Sequence, residues 1–183
     1  SGAVLLQKEP LKAWAPASLA KLVAAMVVLD YNPKLSKNVA MAKSDEVGGA
    51  RIYTKSKISY RVKDLFYAML VASANNAANA LARSTGLTRE KFVEAMNEKA
   101  KGLGAVNSLF TDPSGISEKS QTTAEDFARI AKAAFEKPEI IRASQMSEYV
   151  FRSVSNRRYS HKVKNTNKLL TDSNLDVIAG KTG

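Results

Sequence analysis

The chain has no cysteine and a single histidine, His161. Disulfides are therefore excluded, and no His/Cys metal cluster can be assembled. Carboxylate-only metal sites have no recognisable spacing here, and no cofactor is implied. Long apolar runs are also missing. The longest clean one covers residues 22–29, against the ~18–20 residues that a membrane-spanning helix needs. The opening Ser-Gly-Ala-Val-Leu-Leu is too short and too uncharged for a signal peptide, although a secreted protein would already have lost its signal. Internal repeats and low-complexity linkers are absent. What is left is ordinary globular material, 45% apolar and 25% charged over 183 residues, enough for one domain with a real core.

Acids are scarce relative to bases, with 17 Asp and Glu against 28 Lys and Arg, for a net charge of +11. The densest basic stretch runs from Arg152 to Lys168 and holds Arg152, Arg157, Arg158, Lys162, Lys164 and Lys168 with no acid between them. Its plain reading is a solvated hairpin. The functional alternative is attraction to an anionic polymer or a membrane surface. Nucleic acid is not expected, because no recognition-motif pattern accompanies the charge.

The stretch that organises the chain is Ser18-Leu19-Ala20-Lys21, at the start of the apolar run 22–29. Pro16 stands just before it, and Ser is a favoured N-cap, so a buried helix is expected to begin here and to stop near Asn32-Pro33. Lys21 then lies one turn beyond Ser18 on roughly the same face. A hydroxyl and an amine so placed form a nucleophile and a base, and a helix N-terminus adds N–H groups suited to an oxyanion. Alone, S-x-x-K reads first as a capping Ser followed by a solvated Lys. Two later stretches decide between these readings. Ser73-Ala74-Asn75 follows the apolar helix 65–72, and Lys181-Thr182-Gly183 follows Val177-Ile178-Ala179-Gly180. S-x-x-K, S-x-N and K-T-G in that order form the serine set of penicillin-binding proteins and class A β-lactamases.

Elsewhere the pattern is local. Residues 3–6 read as a strand and 7–15 as its connection to the serine helix, with Trp14 a packing residue or pocket wall. A short strand is expected at 39–42, a turn at Gly48-Gly49, and a segment 58–62 leading into a helix at 63–71. Further helices are expected at about 76–84, at 88–101 with Thr88 as cap, at 124–136 behind a Thr122-x-x-Glu125 capping box, and from Pro138 to about Ala143. Residues 107–120 read as a loop. Tyr149, Phe151 and Val163 alternate with polar residues as in strands, and 175–182 is the last strand expected.

The sequence resembles the D-alanyl-D-alanine carboxypeptidases and endopeptidases, the low-molecular-weight penicillin-binding proteins. Besides the three motifs, the resemblance rests on Val62-Lys63-Asp64-Leu65, Met96-Asn97 with Leu103-Gly104, Asp112-Pro113-Ser114-Gly115, Thr123-Ala124-Glu125-Asp126, and Asn165-Thr166-Asn167 with Leu169-Leu170. It covers essentially the whole chain. The implied fold is α+β, β-lactamase/transpeptidase-like. An antiparallel sheet would be built from both chain ends (residues 1–45 and 145–183), with a mainly helical lobe inserted at 46–144. Residues 1–183 would form one domain of a longer protein, cut at both ends and with its sheet incomplete.

The implied activity is a serine D,D-peptidase acting on D-Ala-D-Ala or cross-bridge bonds of peptidoglycan peptides and acylated by β-lactams. Ser18 would be the nucleophile, Lys21 the base, and Ser73 a relay between Lys21 and the leaving amine. Asn75 would hold the acyl part of the substrate. Lys181 and Thr182 would take its carboxylate, and Gly183 would let it approach. One oxyanion donor in this family follows the K-T-G motif, and losing such a donor costs about 10²–10³ in rate, so residues 1–183 alone are expected to be nearly inactive. Two alternatives stand beside this reading. One is a β-lactamase of the same fold, for which the loop 107–120 offers only Glu118 as a deacylation base. The other is a non-catalytic cell-wall-binding relative. An extracytoplasmic location is expected, in the periplasm or at the cell surface, with any membrane association carried by segments outside these residues.

Overall fold

The computed structural model describes residues 4–32, 34–171 and 174–183. Its centre is α1 (Ala20–Tyr31), in which every residue from Ala20 to Leu29 is buried. A helix apolar on all sides must be enclosed on all sides. Four others do this: α2 (Val62–Val71), α3 (Asn75–Ser84), α4 (Arg89–Gly102) and α5 (Ala124–Ala134) all pack on α1. The run 22–29 is thus the core of the domain and not a surface stripe. A last helix, α6 (Pro138–Ser144), opens on Pro138 and packs on α2. Among the described residues no helix is long and apolar enough to cross a membrane.

The strands form two small antiparallel pairs. β1 (Asn38–Ala40) pairs with β2 (Ser59–Arg61), with Val39 opposite Tyr60. β3 (Glu148–Arg152) pairs with β4 (Ser160–Lys164), setting Tyr149 opposite Val163 and Phe151 opposite His161. The period-2 pattern turns Tyr149 and Phe151 inward to the rings of Tyr67, Tyr60 and His161. The Tyr60 hydroxyl meets His161 Nε2 at 2.7 Å, and burial holds the His161 pKa below its ordinary value.

Four expectations need correction. Of the strand expected at 3–6, Ala3 lies outside the described residues, while Val4, Leu5 and Leu6 are 73%, 96% and 90% exposed and in no strand. Residues 175–182 likewise form no strand. A strand exists only where a neighbour takes its hydrogen bonds; among the described residues the strands are the two pairs above, and β2 comes from the stretch 46–144, expected to be mainly helical. The helix α5 is capped one residue later than expected: Thr123, not Thr122, accepts from the Asp126 amide at 3.1 Å. Ser18 is not an N-cap. It lies within a 3-10 turn, Ala17–Leu19, that precedes α1. The helix α1 does end at Tyr31 as expected, but Pro33 of the expected stop lies outside the described residues.

Candidate active site

The serine turn brings Ser18 and Lys21 together without a cap. Ala17 has φ +48°, in the left-handed region, and the chain then tightens into the 3-10 turn that feeds α1. Lys21, one turn on, points its amine back at Ser18, and the two side chains lie 2.8 Å apart. Lys21 is fully buried among the apolar residues of α1.

Two further groups complete the surroundings of the amine. Lys21 Nζ also donates to Asn75 Oδ1 at 2.8 Å and to the Ser114 carbonyl at 2.6 Å. The Asn75 amide is oriented by its other end, where Nδ2 donates to the Gly48 carbonyl at 2.9 Å. Both Asn75 Oδ1 and Ser114 O can only accept. A protonated Lys21 therefore spends its three hydrogens on Ser18, Asn75 and Ser114. A neutral Lys21 has two hydrogens and one lone pair. The two acceptors take the hydrogens, and the lone pair is left facing the Ser18 hydroxyl. For a neutral Lys21 this arrangement leaves the Ser18 hydroxyl as donor to the amine.

The surroundings of the amine also favour its neutral form. Burial, and next the cation Lys181, lower the Lys21 pKa from 10.5 to about 7, against the opposing pull of the Asp112 carboxylate. Lys181 is itself lowered to about 8 by burial. Lys181 Nζ donates to Ser73 Oγ at 3.0 Å and to the Thr182 carbonyl at 2.7 Å. Ser73 sits at φ +59°, a conformation that non-glycine residues hold only where the surroundings enforce it. The Thr182 hydroxyl meets that of Thr166. A Cβ on Gly183 would come within 2.9 Å of the Leu19 side chain, so the last residue lies directly against the serine turn. Trp14, 72% exposed, walls an open apolar groove of about 640 Å³ with Pro16, Leu19 and Phe127.

The whole chain, residues 1–183, matches the family model for D-alanyl-D-alanine carboxypeptidase. The chain belongs to this family. A D-alanyl-D-alanine endopeptidase of Haemophilus influenzae is 36% identical over 169 residues, 91% of this chain and 57% of that protein. The D-alanyl-D-alanine carboxypeptidase DacB2 of Mycobacterium tuberculosis is 31% identical, covering 100% of this chain and 62% of that one. Among solved structures, a D-alanyl-D-alanine carboxypeptidase from M. tuberculosis superposes with a TM-score of 0.91 at 30% identity, over 100% of this chain and 69% of that one. A Streptomyces DD-transpeptidase superposes with a TM-score of 0.91 at 26% identity, over 76% of its length. The β-lactamase/transpeptidase-like α+β fold expected from the motifs is therefore the fold of this D-alanyl-D-alanine carboxypeptidase-family chain. It spans about half to three-fifths of the length of the curated relatives it matches.

All seven expected site residues are gathered into this one region, with two differences in who touches whom. Ser73 is bonded to Lys181, not to Lys21, whose three partners are Ser18, Asn75 and the Ser114 carbonyl. Asn75, expected to hold substrate, is engaged by Lys21 and Gly48. Two contributors had no assigned role in the sequence reading, the carbonyls of Ser114 and Gly48. Both are backbone groups, and their only sequence marks are Asp112-Pro113-Ser114-Gly115 and the turn glycines Gly48-Gly49.

Proposed function

We propose that this chain is the acylating core of a serine D,D-peptidase that cleaves D-Ala-D-Ala or D-Ala-containing cross-bridge bonds of peptidoglycan peptides, and that β-lactams acylate it at Ser18. The observation that carries the reading is the place of Lys21 Nζ, 2.8 Å from Ser18 Oγ, with its other two partners, Asn75 Oδ1 and the Ser114 carbonyl, both groups that can only accept. Neutral Lys21 removes the Ser18 proton, and Ser18 Oγ attacks the carbonyl carbon of the scissile bond. The Ser18 amide, in the 3-10 turn that precedes α1, supplies one donor for the oxyanion. The C–N bond then breaks. The proton taken by Lys21 is returned to the leaving amine, while Ser73 accepts from Lys181 and does not touch Lys21. Water releases the shortened peptide. Thr182, with Lys181 beside it, takes the substrate carboxylate.

The test is labelled penicillin on the full-length protein. A covalent adduct on the peptide containing Ser18, lost in Ser18→Ala, is expected, together with turnover of a D-Ala-D-Ala peptide. Adduct that persists in Ser18→Ala overturns the assignment. Glu118 is exposed, and rapid penicillin turnover dependent on it would replace this reading with a β-lactamase. An adduct without peptide turnover would leave a cell-wall-binding relative.

The same reading places the protein outside the cytoplasm, where its substrate is. It also gives the hairpin β3–β4 a partner. Arg152, Arg157, Arg158, Lys162, Lys164 and Lys168 are all exposed, and Lys162 pairs with Glu148 at 2.9 Å. Such a surface attracts an anionic wall polymer or an anionic membrane. Retention on either that weakens steeply with salt, and is lost on Arg157→Glu with Arg158→Glu, is the expected result.

A further inference from the structure

The turn that delivers the Ser114 carbonyl is built around a buried carboxylate that the scheme above does not use. Asp112 is 1% exposed. Its Oδ1 accepts from the Ser114 amide at 2.8 Å, the Ser114 hydroxyl at 2.5 Å, the Gly115 amide at 2.8 Å and the Ile116 amide at 3.3 Å. Its Oδ2 accepts from the Ser117 amide at 3.0 Å. Burial opposes the charge on Asp112, but these hydrogen bonds outweigh it and hold its pKa below the ordinary carboxylate value. Four consecutive amides, 114 to 117, thus converge on one side chain and fix the path of the turn. Gly115 follows with φ +73° and lies so close to the serine turn that a Cβ there would fall 1.9 Å from the Ala17 carbonyl oxygen. The turn is therefore pressed between Asp112 on one side and Ala17 on the other, with the Ser114 carbonyl 2.6 Å from Lys21 Nζ.

We infer that Asp112 is a positioning residue of this active site: its carboxylate holds the Ser114 carbonyl on Lys21, directs the amine lone pair at Ser18, and supplies the counter-charge for the ammonium formed when Lys21 takes the proton. The inference rests on the reading of Lys21 as the base. Two features separate this role from that of a plain turn. First, the carbonyl that the turn presents is one of only two acceptors that decide which way the lone pair points. Second, the charges that act on Lys21 are Lys181, from the C-terminal segment, and Asp112, from the 103–123 connection, and they pull in opposite directions. The other groups at the amine, Ser18, Asn75 and the Ser114 carbonyl, are uncharged. Without Asp112, proton uptake by Lys21 would create a second buried cation beside Lys181 with no opposing charge.

The experiment is the pH dependence of penicillin acylation in the full-length protein, compared with Asp112→Asn. The Asn side chain keeps an acceptor for the amides of Ser114 and Gly115 and removes the charge. The acid limb of the second-order rate constant should move to lower pH by about half a unit or more, because the group that raises the Lys21 pKa is gone. The maximal rate should fall about tenfold or more as the carbonyl loosens. A folded variant whose limb and maximum both match the wild type overturns the inference, and so does a limb displaced upward. If Asp112→Asn does not fold, Ser114→Ala decides. It keeps the carboxylate and the carbonyl but removes one donor to Asp112, and a rate equal to the wild type would sink the proposal. Failure of the underlying reading is separately visible: the wild type would form no Ser18 adduct, or Lys21→Arg would be acylated normally.

Discussion

Lys181 donates to the Ser73 hydroxyl at 3.0 Å, a contact between residues 108 positions apart. It ties the C-terminal segment to the turn before α3, and it brings a second cation into the field of Lys21. That cation and burial act in the same direction on the Lys21 amine. Removing the charge by Lys181→Met should therefore raise the Lys21 pKa and move the acid limb of acylation to higher pH, opposite to the shift expected for Asp112→Asn. The measurement is the pH profile of penicillin acylation in both variants. Shifts of the same sign would show that the limb does not report Lys21.

Arginine at position 21 keeps a positive charge and hydrogen-bond donors but has no accessible neutral form. If Lys21 works through its lone pair, Lys21→Arg should lose acylation by at least about 10²-fold, the lower end of general-base contributions. Stopped-flow labelling of the folded variant checks this, and near-normal acylation would reduce Lys21 to an electrostatic role.

The motifs were legible because each sits beside a strong local signal: the apolar run of α1, the end of α2 before Ser73, and the short apolar segment before Lys181. Helix positions followed from periodicity and caps to within a residue or two. The misplaced cap of α5 shows where local pattern stops. Thr122 and Thr123 are adjacent, and each is followed three residues later by an acid. The choice fell to Thr123 because its partner residue Asp126 is fully buried and also accepts from the Asn107 amide and the Ser108 hydroxyl. That network is tertiary and leaves no local trace. The Ser114 and Gly48 carbonyls were invisible for a related reason, since every residue has a carbonyl and only the folded path decides which one faces an amine. Strands at 3–6 and 175–182 were inferred from composition alone, whereas strand formation requires a partner in space.

Gly115 marks the closest approach of the 112–117 turn to the serine turn. Gly115→Ala puts a non-glycine residue at φ +73° and drives its Cβ into the Ala17 carbonyl. The backbone strain and the clash together should cost roughly 2–4 kcal/mol, read from urea unfolding. Acylation should fall further than stability alone explains, because Ala17 must move and Ser18 follows it. A loss under ~1 kcal/mol with normal acylation would mean that the two turns are not in contact in solution.

A last consequence follows from keeping an amine inside the core. The Lys21 pKa is about 7 in the folded protein against 10.5 for the free side chain. Between these values the unfolded chain binds the proton and the folded one does not, so the unfolded state holds more protons and stability rises with pH. Below the folded pKa both states are protonated, and the full cost of burying the ammonium is felt. Lys21→Met removes this titration and keeps a long, flexible apolar side chain. It also leaves Asn75 Oδ1 and the Ser114 carbonyl without their donor, a penalty that does not vary with pH. The absolute order of the two proteins is thus less informative than the difference between their curves. The stability of the wild type relative to Lys21→Met should be flat below about pH 6 and should climb above pH 7. The slope should approach ~1.4 kcal/mol per pH unit by pH 8 to 9. Urea unfolding of both proteins at pH 5 to 9 measures it. Raised folded-state pKa values at Tyr60 and Tyr149 act the other way only at higher pH and are common to both proteins. Parallel curves across pH 7 to 9 would show that Lys21 is not held near neutrality, and the lone-pair argument for Ser18 would lose its base.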